Sequence, residues 1–477
     1  MMMHRARMIT RRVWLLKLAI GKSGGCFQLS LIREVMKIKR VRIALVLVLI
    51  AGVIFILISD CTKTGNPTTP LVEKSSDNAT ADQSNRSAKL PVLKVGFLTD
   101  MTGASSWYGR AMNTLGRAVV DTINKEGIKG FSKMEVTTYD THSNQITACE
   151  QVTKAKEDKM DVVWGSWVEA QLIPYINNLA SIPYVMNNNT GLKLLTNDNR
   201  WVINPNATSW DYGLATSDFF KRNRVRTWAI TGQGWDEGWL DAWAEGIKYG
   251  LKDSDIKCVW DKEVPAYKTD WAEEINEWQK LKPDALVIAN PGEGAFSIIK
   301  QMKDGGYWPK YVIFDPMTGG DYTVIKNALG KDYMLNLIAP TNSDVESPVW
   351  KEFATKHLEF DYFPYGFSAE IWDTLHLIKV AAEKIGPNGV KDPKVFMDAL
   401  RNSSYNGAMG HTFGPFRENG LLKKVTVSFV QCVEGPPDWT DLVDFHWEPI
   451  FKTEISKQLS RDEAYEVWPD LKKRLEK

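Results

Sequence analysis

Short apolar runs alternate with stretches of helical apolar spacing along most of the chain. The first run is Leu93–Thr99, and after it apolar residues recur three to four positions apart between Ala111 and Ile123. This pattern predicts a buried strand followed by an amphipathic helix. Further runs predict strands at 135–140, 161–165, 182–186, 227–231, 256–260, 284–290 and 311–315. Helical spacing between them predicts helices at 145–157, 168–180, 210–222, 237–250, 270–280 and 293–304. Strands that alternate with helices of this length indicate βαβ units and parallel sheets.

The alternation of predicted strands and helices is interrupted once, and beyond residue 315 it is no longer regular. One sheet could hold all the strands, but the polar stretch 203–213 favours two lobes. Beyond residue 315, the pattern predicts strands at 335–342 and 424–435 and helices at 347–358, 367–385 and 393–401. Residues 436–477 are rich in Trp, Glu and Lys, and we interpret them as a docking tail that is helical from Arg461.

The N-terminal region differs from the rest of the chain. Basic residues between Lys37 and Arg42 precede an unbroken apolar run, Ile43 to Ile58, which predicts an export signal in residues 36–61. Met36 is then the expected start, and residues 1–35 are a start-site extension. Residues 62–90 are rich in Ser, Thr, Asn and Asp, with two large aliphatic residues before the last position, so they form a flexible linker.

Two interpretations of the apolar run remain open. In the first, Cys61 is lipidated after cleavage, because "LISDC" resembles the lipobox of bacterial and archaeal lipoproteins, with Asp60 where a small residue is usual. In the second, the run stays as a membrane anchor, although its residues span only about 24 Å of a ~30 Å hydrocarbon core. Both place the rest of the chain outside the cytoplasm.

Composition narrows the function classes. The chain has 477 residues, 44% of them hydrophobic, so it can build more than one core. A net charge of +1 gives no reason to expect a nucleic-acid partner. Beyond Cys26 and Cys61, the folded part of the chain has an odd set of three cysteines, Cys149, Cys258 and Cys432, in which Cys258 and Cys432 either pair or are small buried residues.

Motifs for catalysis, nucleotides and metals are weak. Gly232, Gly234 and Gly238 approach a dinucleotide fingerprint, but the last glycine is one residue late and Asp236 and Glu237 would repel a pyrophosphate. The six histidines are scattered and none belongs to an H-E-x-x-H motif, and the cysteines form no C-x-x-C motif. We therefore expect neither a metal nor a cofactor. No catalytic Ser/His/Asp set can be assigned, so we expect no enzyme activity.

The loops after the strands carry the candidate chemistry. Ligands of open parallel sheets sit beyond the carboxyl ends of the strands. These loops combine hydroxyl groups, which suit a carboxylate, with flat aromatic rings, which suit an apolar, sugar or cationic group. The aromatic candidates are Trp107, Tyr108, Trp167 and Trp235, and the hydroxyl candidates are Ser105, Ser106, Ser166 and Thr190. Any one of these rings could instead serve only to pack its lobe.

An ordered set of segments resembles a known family. "LKVGFLTDMTGASSWYGRAMNTLGRAVVDTINKEGIKG", "DVVWGSWVEAQLIPYI", "IPYVMNNNTG", "TWAITGQGWDEGWLDAW" and "MKDGGYWPKYVIFDPMTGGD" follow the order and spacing of branched-chain amino acid-binding proteins of ABC transporters. The resemblance spans roughly 92–435 and implies an α/β fold, the type I periplasmic binding fold. In that fold two Rossmann-like lobes with parallel sheets are joined by three crossing hinge segments, here near 204–209, 340–343 and 415–421. The implied lobes are 91–206 with 341–416, and 207–340 with 417–440, followed by a tail at 441–477.

The same resemblance implies a ligand site between the lobes. Thr190 matches the family's carboxylate-binding Thr, and Tyr108 and Trp235 match its aromatic positions. Glu169 replaces a small hydroxyl residue, and Met317 stands where amino-acid binders place a carboxylate. These departures favour a ligand other than a plain leucine-type amino acid, either an amine or quaternary ammonium, or an aromatic acid, amide or urea-like molecule. The full candidate set is Trp107, Tyr108, Trp167, Glu169, Asn189, Thr190, Trp235 and Met317.

The resemblance therefore implies an extracytoplasmic solute receptor of an ABC importer. We expect a membrane-tethered monomer that captures a small solute, closes on it and delivers it to permease subunits. Two alternatives are a ligand-sensing domain of a signalling receptor and an extracytoplasmic α/β enzyme.

Overall fold

The computed structural model describes residues 90–165, 172–187, 191–233, 238–265, 268–289, 293–315, 329–356, 367–435 and 445–476. Ser87–Lys477 form one compact unit. The expected export signal, its Cys61 and nearly all of the linker lie outside the described residues. Within the described ranges, no helix combines the length and the apolar character needed to cross a membrane.

Apolar runs of the first half build a wholly parallel sheet. Its described strands are β1 (Val92–Thr99), β2 (Lys133–Asp140), β3 (Val162–Gly165), β4 (Tyr184–Val185) and β5 (Val202–Ile203). They lie in the order β2-β1-β3-β4-β5. Every residue of β3 is buried, as expected for a central strand covered on both faces.

Helices connect these strands as the spacing predicts. They are α1 (Ser106–Glu126), α2 (Gln145–Glu157) and the short α3 (Leu172–Tyr175), which continues as a π-helical turn at Ile176–Ala180. The observed limits of α2 equal the predicted ones. The side chain of Asn144 accepts hydrogen bonds from the Ile146 and Thr147 amides and so caps its first turn.

The second sheet is mixed. Its parallel strands are β6 (Thr227–Gln233), β7 (Lys257–Val264), β8 (Ala285–Ala289), β9 (Tyr311–Phe314) and β10 (Leu337–Thr341). Its antiparallel strands are β13 (Val425–Glu434) and β14 (Phe445–Ile455). The order within the described residues is β14-β13-β10-β9-β8-β6-β7. The helices associated with it are α4 (Ser209–Arg222), α5 (Trp239–Leu251), α6 (Ala272–Leu281) and α7 (Glu293–Asp304).

After β10 the chain returns to the first sheet. This part contains α8 (Pro348–Lys356), α9 (Phe367–Val390), α10 (Pro393–Arg401) and the short pair β11 (Tyr405–Asn406) and β12 (Thr412–Phe413). Helix α9 packs on α1 and contributes Ile371, Leu375 and Ile378 to the core that contains Phe97 and Trp164. The chain then passes to the second sheet again at β13, which gives the two lobes of the predicted α/β fold.

Strand β14 has no counterpart among the predicted elements. Its odd-numbered residues from Trp447 to Ile455 are buried or half-buried, whereas Glu448, Ile450, Lys452 and Glu454 are exposed. This alternation is typical of a strand with one buried face. Pro449 lies on the half-buried face, and proline is tolerated here because β14 is an edge strand.

Cys258 and Cys432 are free thiols. Cys258 lies on β7 and Cys432 on β13, and four strands separate β7 from β13 in the sheet order. At about 4.8 Å between neighbouring strands, the two residues are roughly 24 Å apart. They do not pair, and the alternative of a small buried residue holds for Cys432.

Candidate functional site

The loops that carry the predicted ligand-binding residues begin at the carboxyl ends of parallel strands. In the first sheet β3 ends at Gly165 and β4 at Val185, immediately before the loops that carry Trp167, Glu169, Asn189 and Thr190. In the second sheet β6 ends at Gln233 and β9 at Phe314, before the loops that carry Trp235 and Met317. Strand ends of this kind are where open α/β sheets bind ligands.

Most of the predicted ligand-binding side chains lie outside the described residues. These are Trp167, Glu169, Asn189, Thr190, Trp235 and Met317. Trp107 lies in the first turn of α1, and the structure describes its backbone only. Tyr108 is the predicted site residue whose described contacts can be traced. It is 3% exposed, and its hydroxyl donates a hydrogen bond to the Asn187 carbonyl at 3.2 Å.

The loop between β1 and α1 is fixed by the neighbouring loop after β2. The Thr102 hydroxyl donates to Asp140 Oδ2 at 2.9 Å, and the Ser105 amide donates to Ser143 Oγ at 2.9 Å. Helix α1 approaches the Asp100 backbone closely at Gly109. Only glycine fits there, since a Cβ would lie 2.3 Å from the Asp100 carbonyl oxygen. These bonds fix the backbone around Ser105, and so they fix the position of Tyr108 in the first turn of α1.

A buried polar chain supports the start of the Thr190 loop. Trp164 Nε1 donates to the Thr374 hydroxyl at 2.9 Å, and that hydroxyl lies 3.0 Å from Asn187 Oδ1. Asn187 is fully buried, and its Nδ2 has no hydrogen-bond partner among the described residues. Sequence reasoning missed Asn187 and Thr374, because only the fold brings α9 beside the end of β4.

Asp100 adds a carboxyl group at the same edge of the first sheet. It directly follows β1, and burial raises its pKa to about 6, although a hydrogen bond from Thr141 acts in the opposite direction and Asp140 adds to the rise. Its Oδ2 has no hydrogen-bond partner in the described part of the chain. Asp100 therefore loses its negative charge in mildly acidic solution.

A hydrogen bond joins the end of one loop to the start of another on the second lobe. Trp239, the first residue of α5, donates from Nε1 to Asp315 Oδ2 at 2.7 Å, and both residues are buried. Trp239 follows the Trp235 loop by two residues, and Asp315 directly precedes the Met317 loop. The two loops are consequently anchored to each other at their described ends.

The predicted crossing segments also contact one another. Asn342 Nδ2 donates to Asn206 Oδ1 at 3.2 Å, which links the first segment to the second. Burial raises the pKa of the neighbouring Glu370 to about 7, while its hydrogen bond with Asn342 lowers it in part. Across the described ranges, no group of three or more His, Cys, Asp or Glu side chains could hold a metal ion.

Comparisons with known proteins agree with this geometry. A sequence profile of the periplasmic binding protein family matches residues 92–435. No curated protein sequence matches the chain. Several solved structures share the fold, at identities below 20%.

Three of these structures illustrate the kinds of protein that share the fold. The branched-chain amino acid transporter substrate-binding protein LivJ from Streptococcus pneumoniae, in complex with isoleucine, is 19% identical with a TM-score of 0.61, over 75% of this chain and 99% of that one. A solute-binding protein from R. palustris in complex with benzoate is 16% identical with a TM-score of 0.60, over 75% and 97%. An amino acid ABC transporter substrate-binding protein from Pseudomonas fluorescens is 15% identical with a TM-score of 0.64, over 78% and 97%.

The profile match covers well over half of the 477 residues and includes the described strands from β1 to β13. The chain therefore belongs to the periplasmic binding protein family, a family of solute-binding receptors.

Proposed function

We propose that the chain is the extracytoplasmic receptor of an ABC importer, which captures a small organic solute between its two lobes. The supporting observation is that the loops predicted to bind the solute begin at the carboxyl ends of parallel strands in both lobes. The proposed lobes are 91–206 with 341–416, and 207–340 with 417–440. No catalysis is part of the proposal, because the family is one of receptors.

The proposed ligand-contacting residues come from both lobes. In this proposal Thr190 binds a carboxylate or similar anion from the first lobe, and Trp235 stacks on the solute from the second. Tyr108 holds the Thr190 loop in place through its hydrogen bond to Asn187. The remaining members of the proposed set are Trp107, Trp167, Glu169, Asn189 and Met317.

The solute class follows from these groups. Isoleucine and benzoate, bound by two structures of the same fold, both combine a carboxylate with an apolar body. A hydroxyl and an indole ring suit such a molecule. If Glu169 faces the solute, an amine or quaternary ammonium group is favoured instead, because a carboxylate and aromatic rings stabilise a cation.

We further propose that the receptor acts as a monomer tethered to the outer face of the cell membrane. Residues 36–61 supply the tether, either as a lipid on Cys61 or as a retained helix, and residues 62–90 give it reach. Mass spectrometry of the membrane-bound protein separates the two, since lipidation makes Cys61 the first residue and adds acyl chains.

A thermal-shift screen tests the proposed function. Amino acids, amides, betaines and aromatic acids are added singly to the folded protein, and the melting temperature is recorded. A true ligand at 100 times its Kd stabilises the native state by about 2.7 kcal/mol. Incubation with the hit and analysis by mass spectrometry then checks for chemical turnover. Turnover of the hit, or a complete screen without any stabilising solute, would count against a receptor of this class.

A further inference from the structure

The segment after β14 lies beyond the part of the chain that matches the family profile. The profile ends at residue 435, whereas residues 456–476 form a short connection and two helices, α11 (Arg461–Val467) and α12 (Pro469–Leu475). We call residues 456–476 the C-terminal strap. It docks on the protein's own surface, and it reaches the proposed hinge and both lobes.

Gln458 of the strap is part of the hinge. Its side chain is fully buried, and its Nε2 donates to the Asn206 carbonyl at 2.8 Å and to Asp211 Oδ2 at 2.9 Å. Its Oε1 accepts from the Leu422 amide at 2.9 Å. Asn206 belongs to the first proposed crossing segment, and Leu422 directly follows the third. One glutamine thereby links the first crossing segment to the residue that follows the third, more than 200 positions away in sequence.

The next residues of the strap hold the first lobe. The Arg461 amide donates to the Leu195 carbonyl at 2.6 Å, and the Ser460 hydroxyl donates to Asn197 Oδ1 at 2.6 Å. The Asn197 amide in turn donates to Asp462 Oδ2 at 3.0 Å. Leu195 and Asn197 lie between β4 and β5, so this end of the strap is bound to the first sheet's own connections.

Helix α12 holds the second lobe through a charged cluster. The Arg474 guanidinium donates to both oxygens of Asp261, at 2.5 and 2.8 Å, and to Glu245 at 3.1 Å, and it also contacts Asp241. Trp468 Nε1 donates to the other Glu245 oxygen at 2.8 Å. A bidentate pair that is mostly shielded from water is a strong and directional attachment.

The end of the strap lies against Gly238, the residue that follows the Trp235 loop. Gly238, which follows the Trp235 loop, is so close to the strap that a Cβ there would lie 2.2 Å from Leu475 Cδ2 and 3.8 Å from Lys193 Cβ. Lys193 belongs to the first lobe and Gly238 to the second. Leu475 and Leu471 share one apolar cluster with Leu192 of the first lobe and with residues of α4 and α5.

We propose that the C-terminal strap is a fourth hinge element, which restrains the separation of the lobes and so tunes solute capture and release. Movement of the 191–197 segment away from α5 breaks either the contacts of α11 or those of α12. The strap stabilises the arrangement of the lobes in which the contacts of α11 and those of α12 are both made. Such a restraint changes the apparent affinity for the solute, because it changes the fraction of the protein in the binding-competent state. The inference rests on the proposed closure of the two lobes and is independent of which solute binds.

The test measures the distance between the lobes without any ligand. Spin labels are attached to cysteines placed at the exposed positions Glu150 on α2 and Gln279 on α6. The labelled chain carries Ser in place of Cys26, Cys61, Cys149 and Cys258, and keeps the buried Cys432. Electron–electron double resonance then gives the distance distribution. Arg474→Ala should shift the distribution to longer distances and broaden it. The matched control is Lys473→Ala, because Lys473 is 75% exposed and pairs with Asp470 of the same helix; it should leave the distribution unchanged.

A second variant acts at the hinge end of the strap. Arg417 donates to both oxygens of Glu463, at 2.9 and 2.5 Å, and to the Gln458 carbonyl. Arg417→Ala should give the same broadening as Arg474→Ala, and the double variant should add little, since either change frees the same strap. If Arg474→Ala does not fold, Arg417→Ala alone carries the test.

A folded Arg474→Ala or Arg417→Ala protein with the natural distance distribution would overturn the strap proposal. That outcome leaves the receptor function intact, because the thermal-shift screen tests solute binding separately. Conversely, a screen without hits together with broadened distributions would retain the restraint and reject the function.

Discussion

The polar chain behind the Thr190 loop gives a prediction that separates hydrogen bonding from packing. Thr374 is fully buried on α9, and its hydroxyl stands between Trp164 Nε1 and Asn187 Oδ1, at 2.9 and 3.0 Å. Thr374→Val keeps the shape of the side chain but removes the hydroxyl. Trp164 Nε1 then loses its acceptor, and the hydroxyl proton shared between Asn187 Oδ1 and the Glu370 carbonyl, 2.8 Å away, is lost as well.

The size of the effect follows from those two groups. A buried donor or acceptor left without a partner costs about 1–3 kcal/mol, so losing one donor's and one acceptor's partner in Thr374→Val should destabilise the fold by roughly 2–6 kcal/mol. Thr374→Ser keeps the hydroxyl and loses one buried methyl group, which should cost only about 1 kcal/mol. The expected order of stability is natural chain, then Ser, then Val, although Val matches the natural volume better.

Urea unfolding and thermal melting check this order in the same buffer. For a lobe of this size, 1 kcal/mol corresponds to about 2–4 °C in Tm, so the two variants should differ by several degrees. Once a solute is identified, Thr374→Val should also weaken its binding, because Asn187 no longer fixes the start of the Thr190 loop. A Val variant as stable as the Ser variant, or more stable, would refute the structural role assigned to this hydroxyl.

Three further predictions concern the site and the hinge. Trp235→Ala should weaken solute binding by about 1–3 kcal/mol in calorimetry if the ring stacks on the solute, and an unchanged Kd would remove Trp235 from the site. Gly109→Ala places a Cβ 2.3 Å from the Asp100 carbonyl oxygen and should destabilise the fold by about 1–3 kcal/mol, so an unaltered Tm would contradict the close approach. Burial raises the pKa of Glu370 from its usual 4.5 to about 7, so the stability that its protonated form contributes is complete below pH 4.5 and is lost as the pH rises through 7. Glu370→Gln should therefore gain up to about 3 kcal/mol relative to the natural chain between pH 4.5 and pH 8, and a constant difference across that range would refute the raised pKa of this buried carboxyl.

The fold could be predicted because its central strands are buried on both faces. Continuous apolar runs such as those of β3 and β8 carry that burial in the sequence itself, and helix spacing located α2, α7 and α10 at their observed limits. Strand β14 was not predicted, because Pro449 lies on its half-buried face and the apolar Ile450 on its exposed face, and these two residues break the apolar–polar alternation in the sequence.

The sequence could predict which loops form the candidate site, because these loops follow the ends of predicted strands. It could not predict the side-chain contacts that support them. The contact between Thr374 and Asn187 joins residues 187 positions apart, and that between Trp239 and Asp315 joins residues 76 apart. No local pattern encodes such pairs, since they arise when separate elements pack. The strap shows the same limit, because helical spacing marks α11 but not the carboxylates of α5 and β7 that Arg474 reaches.

A crystal structure of the protein with the solute from the thermal-shift screen tests the central claim most directly. We predict solute density between the two lobes, in contact with Thr190 of the first and Trp235 of the second, beyond the carboxyl ends of β4 and β6. Solute bound to one lobe alone, or at a surface away from these strand ends, would contradict it.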